Sequence, residues 1–447
     1  VTATTIYVAE NTFSGTGSAT KTVSGTIALS AGMLRAGTIA RGEQTGTNTV
    51  VVNTTFLWTG GTIGNLAGSD LTVDTLPLTL SSGTGTFQAD AGRTITVNAS
   101  SPISGAGSLV KAGSGTLVLQ APNTFSGITR VVAGSIALAD AAALAGSTLD
   151  LSAADSGTVV LPLTDATYSL GGLQGAGSLS LGSNSLSVGG NGQSTTYSGS
   201  LSGTGSLTKV GQGTTTLAGA STLSGSTTVQ AGVLRLADGA ALASSRIVPL
   251  AGGTLAVSPY LQTSVGGLAA NAGGLTDVGS GLMTVAAGLP AADMLTALLE
   301  GRGDGSWNGT AGITSSQAAA DIAASIPRTV GWLDNGDGSV TFAFAAAGDT
   351  NLDWSVDILD AANFLAGGKF DSGTPASWIE GDFGYDDFVD ILDAADFLST
   401  GLFDAGVYNP PPGAVGIAAV PEPSGMLAAA GLVAAALAGR LRRQRRN

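Results

Sequence analysis

The sequence predicts a mainly β protein, a parallel β-helix followed by a small α-helical acidic module, and three observations carry that prediction. Residues 105–140 recur at 203–238 without a gap, with nineteen of 36 positions identical at an offset of 98 residues. The shared positions are mostly Gly, Thr, Ser and Leu, residues that build shape rather than perform reactions. Short runs with period-two alternation, such as Leu117 and Leu119, Val131 and Ala133, Ile136 and Leu138, and Leu234 and Leu236, read as strands. Between them stand Gly113, Gly115, Gly127 and Gly134, where each coil turns to stack on the next at ~4.8 Å. A repeated unit that cannot bury its own apolar face must stack on neighbours, which is the logic of a solenoid.

Composition bounds the chemistry. Among 447 residues there are 69 Gly, twice the usual ~7% share, so tight turns must be frequent. Charged residues are only 11%, against a usual ~25%, yet hydrophobic residues reach 43%, so a core is available and Ser, Thr and Asn must carry the surface. With no Cys and no His, thiol nucleophiles, Ser-His-Asp triads and nearly every zinc site are excluded. The net charge of −14 is local: residues 349–404 hold 13 acids and one base, net −12, while 1–348 contribute −6 and 405–447 contribute +4. A concentrated acidic block reads as cation binding, and nucleic acid is excluded as a partner.

In chain order, Val1 stands without an initiator Met or a basic-then-apolar leader, so the expectation is a processed form or a fragment. NTFSG at 11–15 repeats NTFSG at 123–127, which places a degenerate coil near the first residue. Alternating runs continue through Leu71, Val73, Leu76, Leu78, Leu80, Ile95 and Val97. Lys111 and Lys209 occupy one repeat position and read as snorkelling side chains, stems on a coil face and ammonium groups in water. Asn123 and Ser221 read as turn residues. The helical region extends over 1–285. The combination GAGSLVKAGSGTLVL, NTFSG and VVAG resembles the autotransporter-associated β-strand repeat of bacterial surface proteins, clearly over 105–238. That resemblance implies a right-handed parallel β-helix with a passenger-like or stalk role.

Residues 286–348 read as a capping or adaptor segment. Pro290–Glu300 predicts a helix with Leu295, Leu298 and Leu299 on one face, and Ser315–Ile326 predicts a second, with Ile322 and Ile326 one turn apart and Pro327 as its stop. Thr329–Phe344 reads as a hairpin around Asn335-Gly336-Asp337-Gly338. Arg302-Gly303-Asp304 matches an integrin-recognition tripeptide, which chance recurrence in a Gly-rich chain explains.

The acidic block carries the nameable chemistry. Asp349, Asn351, Asp353, Ser355, Asp357 and Asp360 fall at positions 1, 3, 5, 7, 9 and 12 of a loop, the oxygen spacing that calcium requires. VDILDAANFL follows, with Ile358, Ala361, Ala362 and Leu365 expected on one helical face. Thirty-three residues later VDILDAADFL repeats it, behind Asp382, Asp386, the Phe388 carbonyl, Asp390 and Asp393. The second loop has Gly384 at position 3, so it is expected to bind more weakly. The tandem pair resembles type I dockerin modules, which implies calcium as a folding cofactor. That family commonly has Gly at position 6, where this chain has Trp354 and Asp387, so a less ideal loop turn is expected. Positions 10 and 11, which in cohesin-binding dockerins are often polar, are Ile358, Leu359, Ile391 and Leu392 here, favouring an internal docking role over cellulosome assembly.

A Pro-rich linker over 405–420 leads to a tail at 421–447: Pro421, Glu422 and Pro423, an apolar run from 425 to 439, and a cluster of five arginines from Arg440 to Arg446. Fifteen helical residues reach ~22 Å against a hydrocarbon core of ~30 Å. The tail resembles the PEP-CTERM sorting signal, which implies export to the cell surface, recognition by an exosortase-type sorting machinery and transient membrane contact through 425–439. The function expected is a non-catalytic secreted or cell-surface structural, adhesin-like protein, with extracellular polysaccharide or other surface proteins as partners. The alternative is a polysaccharide-binding or polysaccharide-degrading β-helix enzyme, although Asp70, Asp74, Asp90, Asp140 and Asp238 do not cluster in sequence.

Overall fold

A computed structural model describes residues 1–9, 11–12, 20–45 and 50–411. The tail at 421–447 and most of the NTFSG segment at 11–15 lie outside the described residues. The chain divides into two compact units, Val1–Ser245 and Arg246–Asn447.

The first unit is a parallel β-solenoid. Strand Thr94–Val97 pairs with Thr116–Leu119, which pairs with Ser135–Leu138, all parallel, so that Ile95, Leu117 and Ile136 stack in one column and Val97, Leu119 and Leu138 in the next. A second ladder runs beside it through Thr84–Gln88, Ser108–Ala112, Ile128–Val131 and Leu144–Leu151. Narrower ladders close the third side, among them Ile103–Ser104 on Leu78–Leu80 and Thr222–Leu223 on Leu201–Gly203. Alternate side chains of each strand turn inward, and the apolar residues expected inside from Leu71 to Val97 are all buried. Each such side chain contributes roughly 1.5–3 kcal/mol relative to exposure, which is why the alternation fixes the register. Trp58 is fully buried in this core, edge-on to Phe87 at 4.9 Å between ring centroids.

The turns need glycine where coils crowd. Gly113 (φ +72) and Gly134 (φ +69) adopt the left-handed conformation, and a Cβ on either would strike a carbonyl oxygen of the preceding coil. Asn123 serves structure as expected but does so between coils: its Oδ1 accepts from the Ile103 amide (2.8 Å) and its Nδ2 donates to the Ala143 carbonyl (2.9 Å). Ser221 likewise accepts from the Leu201 amide at 3.1 Å. The duplication also extends past residue 140. Thr129 pairs with Ser147, which donates to the Gly127 carbonyl, and Thr227 pairs with Ser245, which donates to the Gly225 carbonyl, with matching distances of 2.8 and 2.6 Å.

The lysines depart from expectation. Lys111 and Lys209 are fully buried, not snorkelling. The Lys111 ammonium donates to the carbonyls of Ala112, Gly113 and Ala133 at 2.9, 2.7 and 3.0 Å, and Lys209 donates to those of Val210, Gly211 and Ala231 at 2.7, 2.8 and 3.1 Å. Three donors thus meet three corner carbonyls drawn from two successive coils. The strand parity that sends Leu109 inward sends Lys111 inward too, and the otherwise unsatisfied carbonyls outweigh the preference of lysine for water. Burial pushes both ammonium groups down to a pKa of about 8.

The second unit opens with coil strands of the same kind, Gly253–Val257 on Leu275–Asp277 on Gly312–Thr314, and Gln262–Leu268 on Leu282–Val285. Helix α1, Ala291–Arg302, is inserted between coil strands, and its buried residues are Met294, Ala297, Leu298 and Gly301; Leu299, expected on the buried face, is exposed. Helix α2, Ser316–Ala323, is capped by the Ser315 hydroxyl on the Ala318 amide and ends before Ile326, because Ser325 adopts a left-handed conformation (φ +62). The expected hairpin is present as Thr329–Asp334 and Val340–Ala345. Its second strand also lies antiparallel on Leu282–Val285, reversing the direction of the ladder there. Helices α3, Ile358–Ala366, and α4, Ile391–Ser399, each follow one acidic loop. No helix among the described residues is long and apolar enough to cross a membrane.

The lysine geometry predicts a specific pH dependence. An unfolded lysine keeps its proton to about pH 10.5 whereas the folded pair releases it near 8, so the unfolded chain binds more protons between those values and stability rises with pH across that window. Denaturant unfolding from pH 7.5 to 9.5 should show a gain on the order of 1 kcal/mol per pH unit per lysine. The double variant Lys111→Met/Lys209→Met should be less stable throughout and lose the slope.

Candidate functional site

Within the second unit the two acidic loops superpose in their hydrogen bonding, position for position. Asp349, at position 1, accepts from the amides of Asp353 (3.2 Å) and Trp354 (3.0 Å); Asp382 accepts from those of Asp386 (3.2 Å) and Asp387 (3.1 Å). Asp360, at position 12, accepts from the Thr350 amide (2.8 Å) and hydroxyl (2.7 Å) and, through its other oxygen, from the Asp357 amide (2.9 Å). Asp393 repeats this with the amides of Phe383 (2.8 Å), Gly384 (2.9 Å) and Asp390 (2.9 Å). Asp357 and Asp390, at position 9, cap α3 and α4 by accepting from the amides of Leu359 and Leu392. Asp353 and Asp386 accept from the position-7 amides of Ser355 and Phe388, and Asn351 donates to Asp353 at 2.9 Å.

The backbone carries the same duplication. Positions 4 and 6 are left-handed in both loops: Leu352 (φ +59) and Trp354 (φ +66), Tyr385 (φ +61) and Asp387 (φ +67). The turn therefore forms without glycine at position 6, held by amide bonds to the position-1 carboxylate, and the expected departure is one of strain rather than of shape. Position 8 of each loop, Val356 or Val389, bridges to the segment after the helix that follows the other loop, at Phe403 and Phe370.

Burial separates the acids. Asp349, Asp360, Asp382 and Asp393 are buried, and none lies within ion-pair distance of a cationic side chain among the described residues. Burial pushes Asp349 up to about 7 and Asp382 up to about 6, and it also raises Asp360 and Asp393. Buried carboxylates with no cationic side chain beside them are what a bound cation would compensate, and the all-oxygen donor set suits a hard one. In the present arrangement the carboxylates face loop amides, and among the described residues no three of them gather tightly enough to hold an ion.

Several contributors to the loops were not legible in their spacing. Tyr408 donates to the second oxygen of Asp349 at 2.5 Å, and Trp378 donates its indole N–H to the Asp349 carbonyl at 2.7 Å. Trp354 reaches the Phe344 carbonyl at 3.0 Å. The helix faces also differ from expectation: Ile358, Ala362 and Leu365 are exposed, and the inward residues of α3 are Asp360 and Ala361. Behind them Phe364 stacks on Phe383 and Phe397 at 6.3 and 6.1 Å. The Ile-Leu pairs at positions 10 and 11 are solvent-exposed, from 57% to 67%. Arg302, first residue of the integrin-like tripeptide, is committed internally: its Nη1 donates to the Gly384 carbonyl (3.1 Å) and its guanidinium lies 5.2 Å over the Tyr385 ring.

The acids of the solenoid are each engaged in local structure. Asp70 accepts from the Thr94 amide, Asp74 from Ser100, and Asp90 pairs with Arg35 at 2.8 Å. Asp140 and Asp238 each accept from an amide two residues on.

The loop geometry predicts opposite outcomes for one substitution at two equivalent positions. Asp387 is exposed and its side chain makes no hydrogen bond among the described residues, so Asp387→Gly should raise stability by about 0.5–1 kcal/mol by removing the left-handed penalty. Trp354→Gly should lower it by about 3 kcal/mol or more through lost packing, with thermal melts as the measurement.

Comparison with known proteins bears on the solenoid. Residues 109–138 and 207–236 match the family described as passenger-associated-transport-repeat. Over 175 residues, 38% of the chain, the sequence is 31% identical to the adhesin BmaC autotransporter of Brucella suis biovar 1 (strain 1330), of which it spans 5% of the length. No solved structure matches. The chain thus carries two passenger-associated transport repeats on a parallel β-solenoid and is distantly similar to an adhesin autotransporter.

Proposed function

We propose that this chain is a non-catalytic, exported surface protein in which the β-solenoid serves as an adhesin-like structural element. The observation that carries the reading is the duplication itself. The charged positions common to both copies, Lys111 and Lys209 and Asp140 and Asp238, bond to the chain's own backbone, and the shared Thr129 and Thr227 bond to a neighbouring hydroxyl. A repeat whose shared charged residues are engaged in this way presents shape, not reacting groups. The similarity of 175 residues to a protein named as an adhesin supports the same reading. The resemblance of 421–447 to a PEP-CTERM signal supports export with sorting at Pro421, Glu422 and Pro423 by exosortase-type machinery.

The acidic module belongs to this reading as a calcium-stabilised, dockerin-like unit. Asp349, Asn351, Asp353, Ser355, Asp357 and Asp360 would hold one ion, and Asp382, Asp386, Phe388 through its carbonyl, Asp390 and Asp393 a second. The ion supplies positive charge to carboxylates that are buried without a counter-ion. The loops fix the orientation of α3 and α4 through the capping boxes at Asp357 and Asp390. A polysaccharide-degrading β-helix remains the second reading, and the structural engagement of Asp70, Asp74, Asp90, Asp140 and Asp238 weighs against it.

Two measurements test the proposal. Terbium luminescence should titrate two sites on the chain, the second weaker, and Asp353→Ala or Asp360→Ala should reduce affinity by about tenfold or more. Unchanged affinity in both variants would remove the ligand assignment. Cells displaying the chain should adhere to glycan-coated surfaces without shortening the glycan; reproducible depolymerisation abolished by a single Asp substitution would reverse the ranking of the two readings.

A further inference from the structure

The second unit contains a cleft of about 360 Å³ that the acidic loops do not explain. It lies among the end of α1, the segment that follows α2, and α4, and its volume falls within the ~300–1,000 Å³ range of small-ligand clefts. Two arginines line it, Arg302 and Arg328. Each is held in place by an aromatic ring and one carbonyl: Arg302 over Tyr385 with the Gly384 carbonyl, and Arg328 at 5.2 Å over Tyr408 with the Pro327 carbonyl at 2.7 Å. Neither has a carboxylate within ion-pair distance among the described residues, and the remaining N–H donors make no hydrogen bond there. Arg328 is half-buried, and desolvation disfavours its charge.

Two arginines of one cleft, each fixed by stacking and each with N–H donors left over beyond the longer-range influence of Asp396 on Arg302 and Asp321 on Arg328, suit a carboxylate. The rest of the lining narrows the choice. Ile322, Ile326 and Pro327 offer an apolar wall, while Asp396 and Ser399 on α4 offer hydroxyl acceptors and donors. A bare sulfate or phosphate would make no use of the wall. A neutral sugar would leave the guanidinium pair uncompensated. A sugar ring bearing a carboxylate uses all three: the carboxylate on the arginines, the ring hydroxyls on Asp396 and Ser399, and the C–H face on the isoleucines. From this juxtaposition we infer that the cleft of the second unit binds a uronate residue of an acidic polysaccharide. The inference deepens the adhesin-like reading, on which it rests, by giving it a ligand class and a place.

Isothermal titration of the full, calcium-loaded chain tests it, with galacturonate and trigalacturonate as probes and glucose, sulfate and a tetraglutamate peptide as comparators. The uronates should bind and the comparators should bind at least about tenfold more weakly. Arg328→Gln and Arg302→Gln should each weaken uronate binding by about tenfold or more while the thermal melt of Arg328→Gln stays that of the parent; Arg302→Lys, which keeps the charge and loses the fork, should lose most of the affinity as well. Equal binding of glucose or sulfate, preference for the peptide, or parent-like affinity in both arginine variants would overturn the assignment. Adhesion by the intact chain alongside any of those results would leave the surface role standing and sink the cleft alone.

Discussion

A stacked coil places its corner carbonyls where neither strand pairing nor water reaches them, and the interior of this solenoid is arranged around that constraint. Strand pairing satisfies the flat runs. At the corners the satisfaction comes from side chains aimed inward: the ammonium groups of Lys111 and Lys209, the amide of Asn123, and the hydroxyls of Ser147 and Ser245. Each of these reaches into an adjacent coil, so the bonds that satisfy the corners also fix the stacking order. A purely apolar filling at these points would leave several buried acceptors unpaired, at ~1–3 kcal/mol each.

The same constraint explains what the sequence displayed and what it concealed. Period-two alternation located the strands because the core is apolar and one residue of slip would turn it outward. The repeat at 98 residues located the coils that matter. Lys111 was hidden because lysine is read by its affinity for water, while its parity with Leu109 was the informative signal. A lysine in phase with inward leucines, followed by a glycine two residues on, is a readable mark of a corner cap. The loop residues were legible by spacing, and their hydrogen bonds repeat across the duplication. The helix faces were not, since the inward position of α3 and α4 is held by the acid at position 12, which a hydrophobicity pattern assigns to water. Tyr408 lay beyond any local pattern because it meets Asp349 from 59 residues away.

The two halves of the chemistry are distributed differently. In the solenoid, the buried lysines and Asn123 are consumed by backbone partners, and Arg35 and Arg130 by Asp90 and Asp155. In the second unit, buried carboxylates and stacked guanidiniums keep part of their bonding capacity unused, which is a condition for binding something else. The division matches the charge distribution along the chain, where the acidic block sits apart from the nearly neutral repeats.

The hairpin strand Val340–Ala345 lies antiparallel on Leu282–Val285, and that reversal bears on self-assembly. Parallel coils are templates: an exposed parallel edge invites another coil of like sequence, from the same chain or from a second molecule, and end-to-end fibre growth follows. Here the hairpin occupies that edge, its second strand on Leu282–Val285 and its first, Thr329–Asp334, on the far side of the second. At this point in the chain the parallel ladder is ended by an antiparallel hairpin rather than by charge or proline, so the next coil strand that the edge could template is supplied by the chain itself.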